Sequence, residues 1–100
     1  MSFDEDTIVS VASMMLSGKM DIVSGVRQIV VLLPEEDREL EMFLPLRGVE
    51  SETEEFPVGS VRAHWNPDAL AKLDRELDEY LSRVEGLVLE CCRRIVSNYA

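Results

Sequence analysis

Apolar positions three and four residues apart in the first part of the chain predict an amphipathic helix. The stripe consists of Ile8, Val11, Ala12, Met15 and Leu16. It follows Ser2-Phe3-Asp4-Glu5, a capping box in which a Ser hydroxyl and a Glu carboxylate satisfy the free amides of a helix start. Gly18 can adopt the left-handed conformation that closes a helix. We therefore expect a first helix over about residues 3–17.

A second apolar stripe follows Asp21, a residue type that caps helix N-termini. It runs through Ile22, Val23, Val26, Ile29, Val30 and Leu33 and stops at Pro34. The β-branched run Ile29-Val30-Val31 also permits a strand, but the helical spacing extends back to Ile22 and favours a helix. Because only Gly18-Lys19-Met20 separates the two stripes, we expect them to pair as an antiparallel hairpin.

A shorter apolar group, Leu40, Phe43 and Leu44, follows Pro34 and three acidic residues. Proline suits the first position of a helix, and acidic side chains suit its first turn. This pattern predicts a short third helix that begins at Pro34 and is broken or kinked at Pro45.

The longest stripe predicts one continuous C-terminal helix over residues 68–98. Asn66-Pro67 supplies a cap and a first helical residue. Gly86 lies in the middle of the helix, where close packing or a slight bend would explain a glycine. The apolar positions are Leu70, Leu73, Leu77, Tyr80, Val84, Leu87 and Cys91, widened by Leu81, Val88 and Ile95.

The stretch between these patterns, Val49–Pro67, has no helical or alternating period and indicates a loop. Apolar residues recur through it at Phe56, Val58, Val61 and Trp65, which favours an ordered loop over a flexible one.

Composition restricts the class of partner. The 100 residues are enough for one helical domain, and 20 acidic against 10 basic residues give a formal net charge of -10. This charge repels phosphate backbones and anionic lipid, so we expect neither nucleic acid nor membrane binding. Basic protein surfaces remain possible partners. Adjacent Cys91 and Cys92 cannot easily pair on a helix, which indicates core residues and a reducing, cytoplasmic location.

An acidic cluster is formed by Glu50, Glu52, Glu54 and Glu55. A weak metal site or a docking patch would suit it, but a solvated loop is favoured. The sequence has no His-Glu-x-x-His, Cys-x-x-Cys or EF-hand spacing, so we assign no metal ligand and no cofactor.

The candidate site lies in the same stretch and comprises Ser51, Glu52, Thr53, Arg62, His64 and Trp65. Arg62 is expected to hold the loop shut through a bidentate pair with a loop glutamate, and ligand binding is the alternative. Histidine is a common general base, but base catalysis by His64 needs a positioned nucleophile that the sequence does not show. Trp65 is expected to anchor the loop onto the core. No catalytic residue is assigned.

The run Ser51-Glu52-Thr53-Glu54-Glu55-Phe56-Pro57-Val58-Gly59, with Arg62 and Trp65, resembles the signature of an uncharacterised bacterial family of small proteins. That signature is Ser-Glu-Thr-Asp-x-x-Pro-x-Gly-x-x-Arg-x-x-Trp, and this chain departs from it at Glu54. The flanking Ser24-Gly25-Val26-Arg27 and Asp74-x-Glu76 are also similar. The resemblance implies a bacterial cytosolic protein and brings no assigned activity.

Taken together, the patterns predict an all-α domain with a helical hairpin, a short third helix, an ordered loop and one long helix. The width of the last stripe also predicts a homodimer. The expected function is a non-enzymatic interaction module, of immunity or accessory type, for a basic partner. The alternative is a small ligand-binding protein or enzyme that uses Glu52, Arg62, His64 and Trp65. A deep pocket lined by these four would favour the alternative.

Overall fold

Four α-helices and two short 3-10 helices make up the part of the chain that the computed structural model describes, residues 3–57 and 59–99. The helices are α1 (Phe3–Leu16), α2 (Ile22–Leu32), α3 (Leu44–Thr53) and α4 (Pro67–Tyr99), with 3-10 helices at Glu35–Asp37 and Gly59–His64. These described ranges contain no strand, which confirms the all-α prediction. Ser2 of the predicted capping box lies outside them.

The turn between α1 and α2 shows why the two helices pair. Gly18 has φ +77°, and the Lys19 amide donates to the Met14 carbonyl at 2.9 Å, which closes α1. The Asp21 carboxylate accepts the Ser24 amide at 3.0 Å and starts α2. A Cβ at Gly25 would overlap the Met15 thioether, so glycine is what lets the helices approach here. The hairpin and the helical reading of the second stripe are confirmed.

The prediction for the third helix is wrong in its position. Turns follow the first 3-10 helix, and α3 begins only at Leu44, with Pro45 in its first turn. Proline does not break a helix there, because the first-turn amides have no intrahelical partner in any case. Phe43 and Leu46 are 1% and 0% exposed, whereas Leu40 is 42% exposed. Burial of the first two therefore decides where the helix lies.

The long helix α4 is continuous, as predicted. The Asn66 side-chain oxygen accepts the Asp68 amide at 2.8 Å and the Ala69 amide at 3.3 Å, which caps its start. Close packing at Gly86 is not what the structure shows, because a Cβ there would meet no atom within 4 Å. Among the described residues, no helix has the length and apolarity needed to cross a bilayer.

The apolar stripe of α4 divides into two parts. Its C-terminal part packs mainly on α1 and is buried at Val88, Cys91, Cys92 and Ile95. Its N-terminal part is only half-buried, at Leu70, Leu73, Leu77, Leu81 and Val84. Partial cover by the chain's own helices leaves the homodimer a prediction.

Candidate functional site

The predicted loop is ordered but contains regular structure. Its first residues, 49–53, complete α3, and residues 59–64 form the second 3-10 helix, so the absence of a helical period did not mean the absence of helix. Val58, one of its expected apolar anchors, lies outside the described residues. The candidate side chains are therefore placed by two helical elements and the turn between them.

Arg62 is a staple, but its partner is not the one expected. Its guanidinium donates to both carboxylate oxygens of Asp74 on α4, with Nη1–Oδ1 at 2.9 Å and Nη2–Oδ2 at 2.7 Å. Nη1 also lies 3.4 Å from the Pro57 carbonyl oxygen. The expected pairing with a loop glutamate is wrong, because nearness in sequence does not place Glu54 or Glu55 beside it. Both of those side chains are exposed.

The ion pair changes the titration of both partners. Hydrogen bonding from Arg62 lowers the pKa of Asp74, and the same bond raises the pKa of Arg62. The side chains are 43% and 36% exposed, respectively, so water screens the pair and its contribution to stability is modest.

Arg27 holds the same region and was not selected from the sequence. Its Nη2 donates to the Thr53 carbonyl at 2.6 Å and to the Phe56 carbonyl at 2.9 Å. This ties α2 to the end of α3 and the turn after it. The one available signal was the position of Arg27 in the flank of the family resemblance.

Two further arginines donate to backbone carbonyls nearby. Arg38 Nη1 reaches the Val30 carbonyl at 3.3 Å, close to the C-terminal end of α2. Arg47 Nη1 reaches the Arg38 carbonyl at 2.9 Å and the Glu39 carboxylate at 3.0 Å. The Val30 carbonyl also accepts the Leu33 amide at 3.3 Å, so Arg38 supplies a second donor at this helix end.

The remaining candidates do not converge on one point. Thr53 is fully buried, and its hydroxyl donates to the Val49 carbonyl at 2.7 Å, so it completes α3 internally. Ser51, Glu52 and His64 are exposed. Trp65 is 39% exposed and lies outside the described core cluster, so the expected anchoring of the loop by this side chain is not what the structure shows. Glu52 instead pairs with Tyr80 on α4. Burial first, and then the hydrogen bond to Glu52, raise the pKa of Tyr80 to about 12.

Two shallow grooves adjoin this region and merge. One has a volume of about 410 Å³ and the other about 300 Å³, and both are lined by Asp21, Asp78 and Leu81. We call their union the α2–α4 groove. Arg62 lines one end of it, whereas Glu52, His64 and Trp65 line neither part.

The cysteines do not line this groove but lie in the core beneath it. Cys91 and Cys92 are buried free thiols, and burial raises the pKa of both, that of Cys92 to about 11. The Cys92 sulfur lies 3.8 Å from that of Met15, so it packs between α4 and α1. Over the described residues, no three His, Cys, Asp or Glu side chains are grouped to hold a metal ion.

No family model matches the chain, and no curated protein or solved structure is significantly similar to it. The resemblance to the small bacterial family stays a prediction. The residues that carry it do contact one another, since Arg27 binds the backbone at Thr53 and Phe56 and Arg62 binds Asp74. These contacts join α2 to the end of α3 and join the second 3-10 helix to α4.

Proposed function

We propose that this chain is a non-enzymatic, acidic interaction module that binds a basic protein partner. The observation that carries the proposal is the placement of its charges. Arg27, Arg38, Arg47 and Arg62 are all partly buried and donate to the chain's own carbonyls or carboxylates. These four make up a large share of only 10 basic residues. These four arginines are therefore less available to a partner than the exposed carboxylates are.

Exposed carboxylates cover much of the remaining surface. They lie in the turns before α3, at its end, and along α4: Glu35, Glu36, Glu39, Glu41, Glu52, Glu54, Glu55, Asp68, Glu76, Asp78, Glu79, Glu85 and Glu90. Such a surface accelerates association with a cationic protein and opposes association with anionic ones.

The enzyme or ligand-binding alternative has less support. It needs Glu52, Arg62, His64 and Trp65 around one pocket, but only Arg62 lines the α2–α4 groove. Both terminal nitrogens of Arg62 also donate to the carboxylate of Asp74 already. A ligand carboxylate would have to displace that pair.

The proposal is tested by capturing partners from native lysate with the tagged chain and then measuring binding to each purified partner by calorimetry. We expect a captured protein of net positive charge whose affinity falls as salt is raised, because screening weakens exposed charge pairs. The variant Glu52→Gln/Glu54→Gln/Glu55→Gln removes three charges with little change in side-chain shape. It should weaken binding by a smaller factor than raised salt does. Acidic partners only, or affinity independent of salt, would overturn the proposal.

A further inference from the structure

We propose that the α2–α4 groove is the docking site for a basic amphipathic helix of the partner, an inference that rests on the proposed function. The groove joins an apolar floor to an acidic rim. Its floor includes Met15, Met20, Ile22, Val23, Leu77, Leu81 and Leu89. Most of these side chains are only half-buried, so they offer apolar surface that a docked helix would cover.

The rim carries charge of one sign. Asp21 lies at the start of α2, and Asp78 and Glu85 lie on α4 across the groove from it; all three are exposed. Asp78 and Glu85 are seven residues apart, about two helical turns, so they lie on the same side of α4. Acids on both edges match a helix with basic residues flanking an apolar stripe.

The geometry favours a helical occupant over an extended one. A peptide that binds as a β-strand gains its affinity by adding to a sheet edge, and residues 3–57 and 59–99 provide no strand. The groove follows α4 from Leu77 to Leu89. At 1.5 Å per residue this distance is about 18 Å, the length of a helix of about 12 residues.

A second copy of this chain is a poorer occupant. It would bring an equally acidic protein, with a net charge of -10, against the acidic rim. Arg62, which lines one end of the groove and is cationic, already pairs with Asp74. Charge complementarity therefore selects a basic partner rather than self-association.

The test uses a synthetic peptide of about 14 leucine and lysine residues ordered as an amphipathic helix. Binding to the full chain is followed by fluorescence anisotropy, and the bound surface is mapped by amide chemical shifts. Asp78→Lys/Glu85→Lys reverses the rim charges. Glu76→Lys/Glu79→Lys is the matched control, because it makes the same change in net charge at exposed positions of α4 outside the groove.

We expect the groove variant to bind the peptide at least about tenfold more weakly than the control variant, a difference of about 1.4 kcal/mol. Chemical shifts should change at Asp21, Leu81 and Leu89. A peptide of the same composition in alternating order, which has no apolar helical face, should bind at least about tenfold more weakly. Circular dichroism confirms that both variants fold.

Three outcomes would overturn the inference. Equal losses in the two variants would mean that overall charge, not the groove, attracts the peptide. No binding of the helical peptide would exclude the groove as its site. Light scattering that gives a dimer would assign the groove to a second copy, provided that dilution changes the amide shifts of the same groove residues. A separate result distinguishes the two proposals. If a basic partner is captured from lysate and binds the groove variant and the control variant equally, the proposed function stands and only the groove assignment fails.

Discussion

In the frame formed by α1, α2 and α4, apolar side chains at helical spacing bury one another along a shared core. The connecting segment, residues 33–66, has fewer buried anchors, among them Phe43, Leu46 and Val49. Arginine side chains donate to backbone carbonyls of this segment. Arg27 does so from α2, whereas Arg47 and Arg62 belong to the segment itself. The connecting segment thus adds hydrogen bonds from arginine side chains to the burial that both parts share.

The difference follows from where backbone hydrogen bonds go. A helix satisfies its own amides and carbonyls, so only one face needs apolar cover. Besides α3, the connecting segment has two short 3-10 helices and turns, and some of its carbonyls accept donors from distant side chains. A guanidinium has several donors in a rigid plane and reaches two carbonyls at once, as Arg27 does.

The largest effect should come from removing a buried anchor of the connecting segment. Leu46→Ala deletes a side chain that is 0% exposed and leaves a cavity between α3 and its neighbours. We expect a loss of about 2–5 kcal/mol in the free energy of unfolding, measured by urea titration. Val31→Ala is the control, since Val31 is 80% exposed and should change the free energy by less than about 0.5 kcal/mol.

Equal midpoints for Leu46→Ala and Val31→Ala would break the comparison at this point. They would mean that burial in α3 contributes nothing to holding the segment, and that hydrogen bonds alone do so.

A smaller loss is expected from Arg27→Ala. The Thr53 and Phe56 carbonyls lose a charge-assisted donor in a partly buried place, which should cost about 1–3 kcal/mol. Arg27→Lys should recover only part of this, because the shorter lysine side chain does not place its ammonium where Nη2 donates to both carbonyls. Exposed Arg75→Ala provides the control. Amide exchange should speed up at the end of α3 and remain unchanged in α1; uniform acceleration would contradict a local staple.

The sequence pattern was sufficient to predict the frame, because the apolar residues that form the pattern are the ones whose burial stabilises these helices. The observed α1 and α2 each end one residue earlier than the pattern suggested, and α4 includes Pro67. The signals that end the first two helices were also local, because Gly18 and Pro34 restrict only the backbone of their immediate neighbours. Asp21 and Asn66 cap the helices that follow them, as their side chains predict.

Pattern failed in the connecting segment because distant partners decide its structure. Pro45 permits either a helix end or a helix start, and only burial of Phe43 and Leu46 in the core selects the start. Arg62 bonds Asp74, twelve residues away, and Arg27 bonds Thr53, twenty-six residues away. No periodicity links such positions. The sequence could not show that Glu52, His64 and Trp65 lie outside the α2–α4 groove.

The Arg62–Asp74 pair should have a smaller effect than Arg27, because both of its side chains are more than one-third exposed. Arg62→Ala and Asp74→Asn should each lower the urea midpoint by less than Arg27→Ala does. The pKa of Asp74 lies below its ordinary value of 3.8 in the folded chain. The stabilisation is therefore complete above pH 3.8 and is lost as the pH falls through the lowered folded pKa.

The pH dependence checks this prediction separately from its size. The difference in midpoint between the wild type and Asp74→Asn should be constant near neutral pH and shrink in acid below about pH 4. Exposed Asp68→Asn serves as the control on the same helix. A difference that persists undiminished in strong acid would show that Asp74 acts through packing rather than through its charge.

The smallest effect at neutral pH should come from Tyr80, where α4 contacts the end of α3. Its pKa is raised to about 12, first by burial and then by Glu52. Because the folded chain favours the neutral phenol, its contribution to stability is complete below pH 10 and is lost as the pH rises from 10 to about 12. Tyr80→Phe should therefore match the wild type at neutral pH and lose less stability over that alkaline range. The absorbance difference between the two proteins isolates the titration of Tyr80 from that of Tyr99. Glu52→Gln should lower the pKa only part of the way towards 10, since burial remains. If Glu52→Gln restores the ordinary value, the carboxylate is the main cause, and the contact between α3 and α4 is more open to water than the structure indicates.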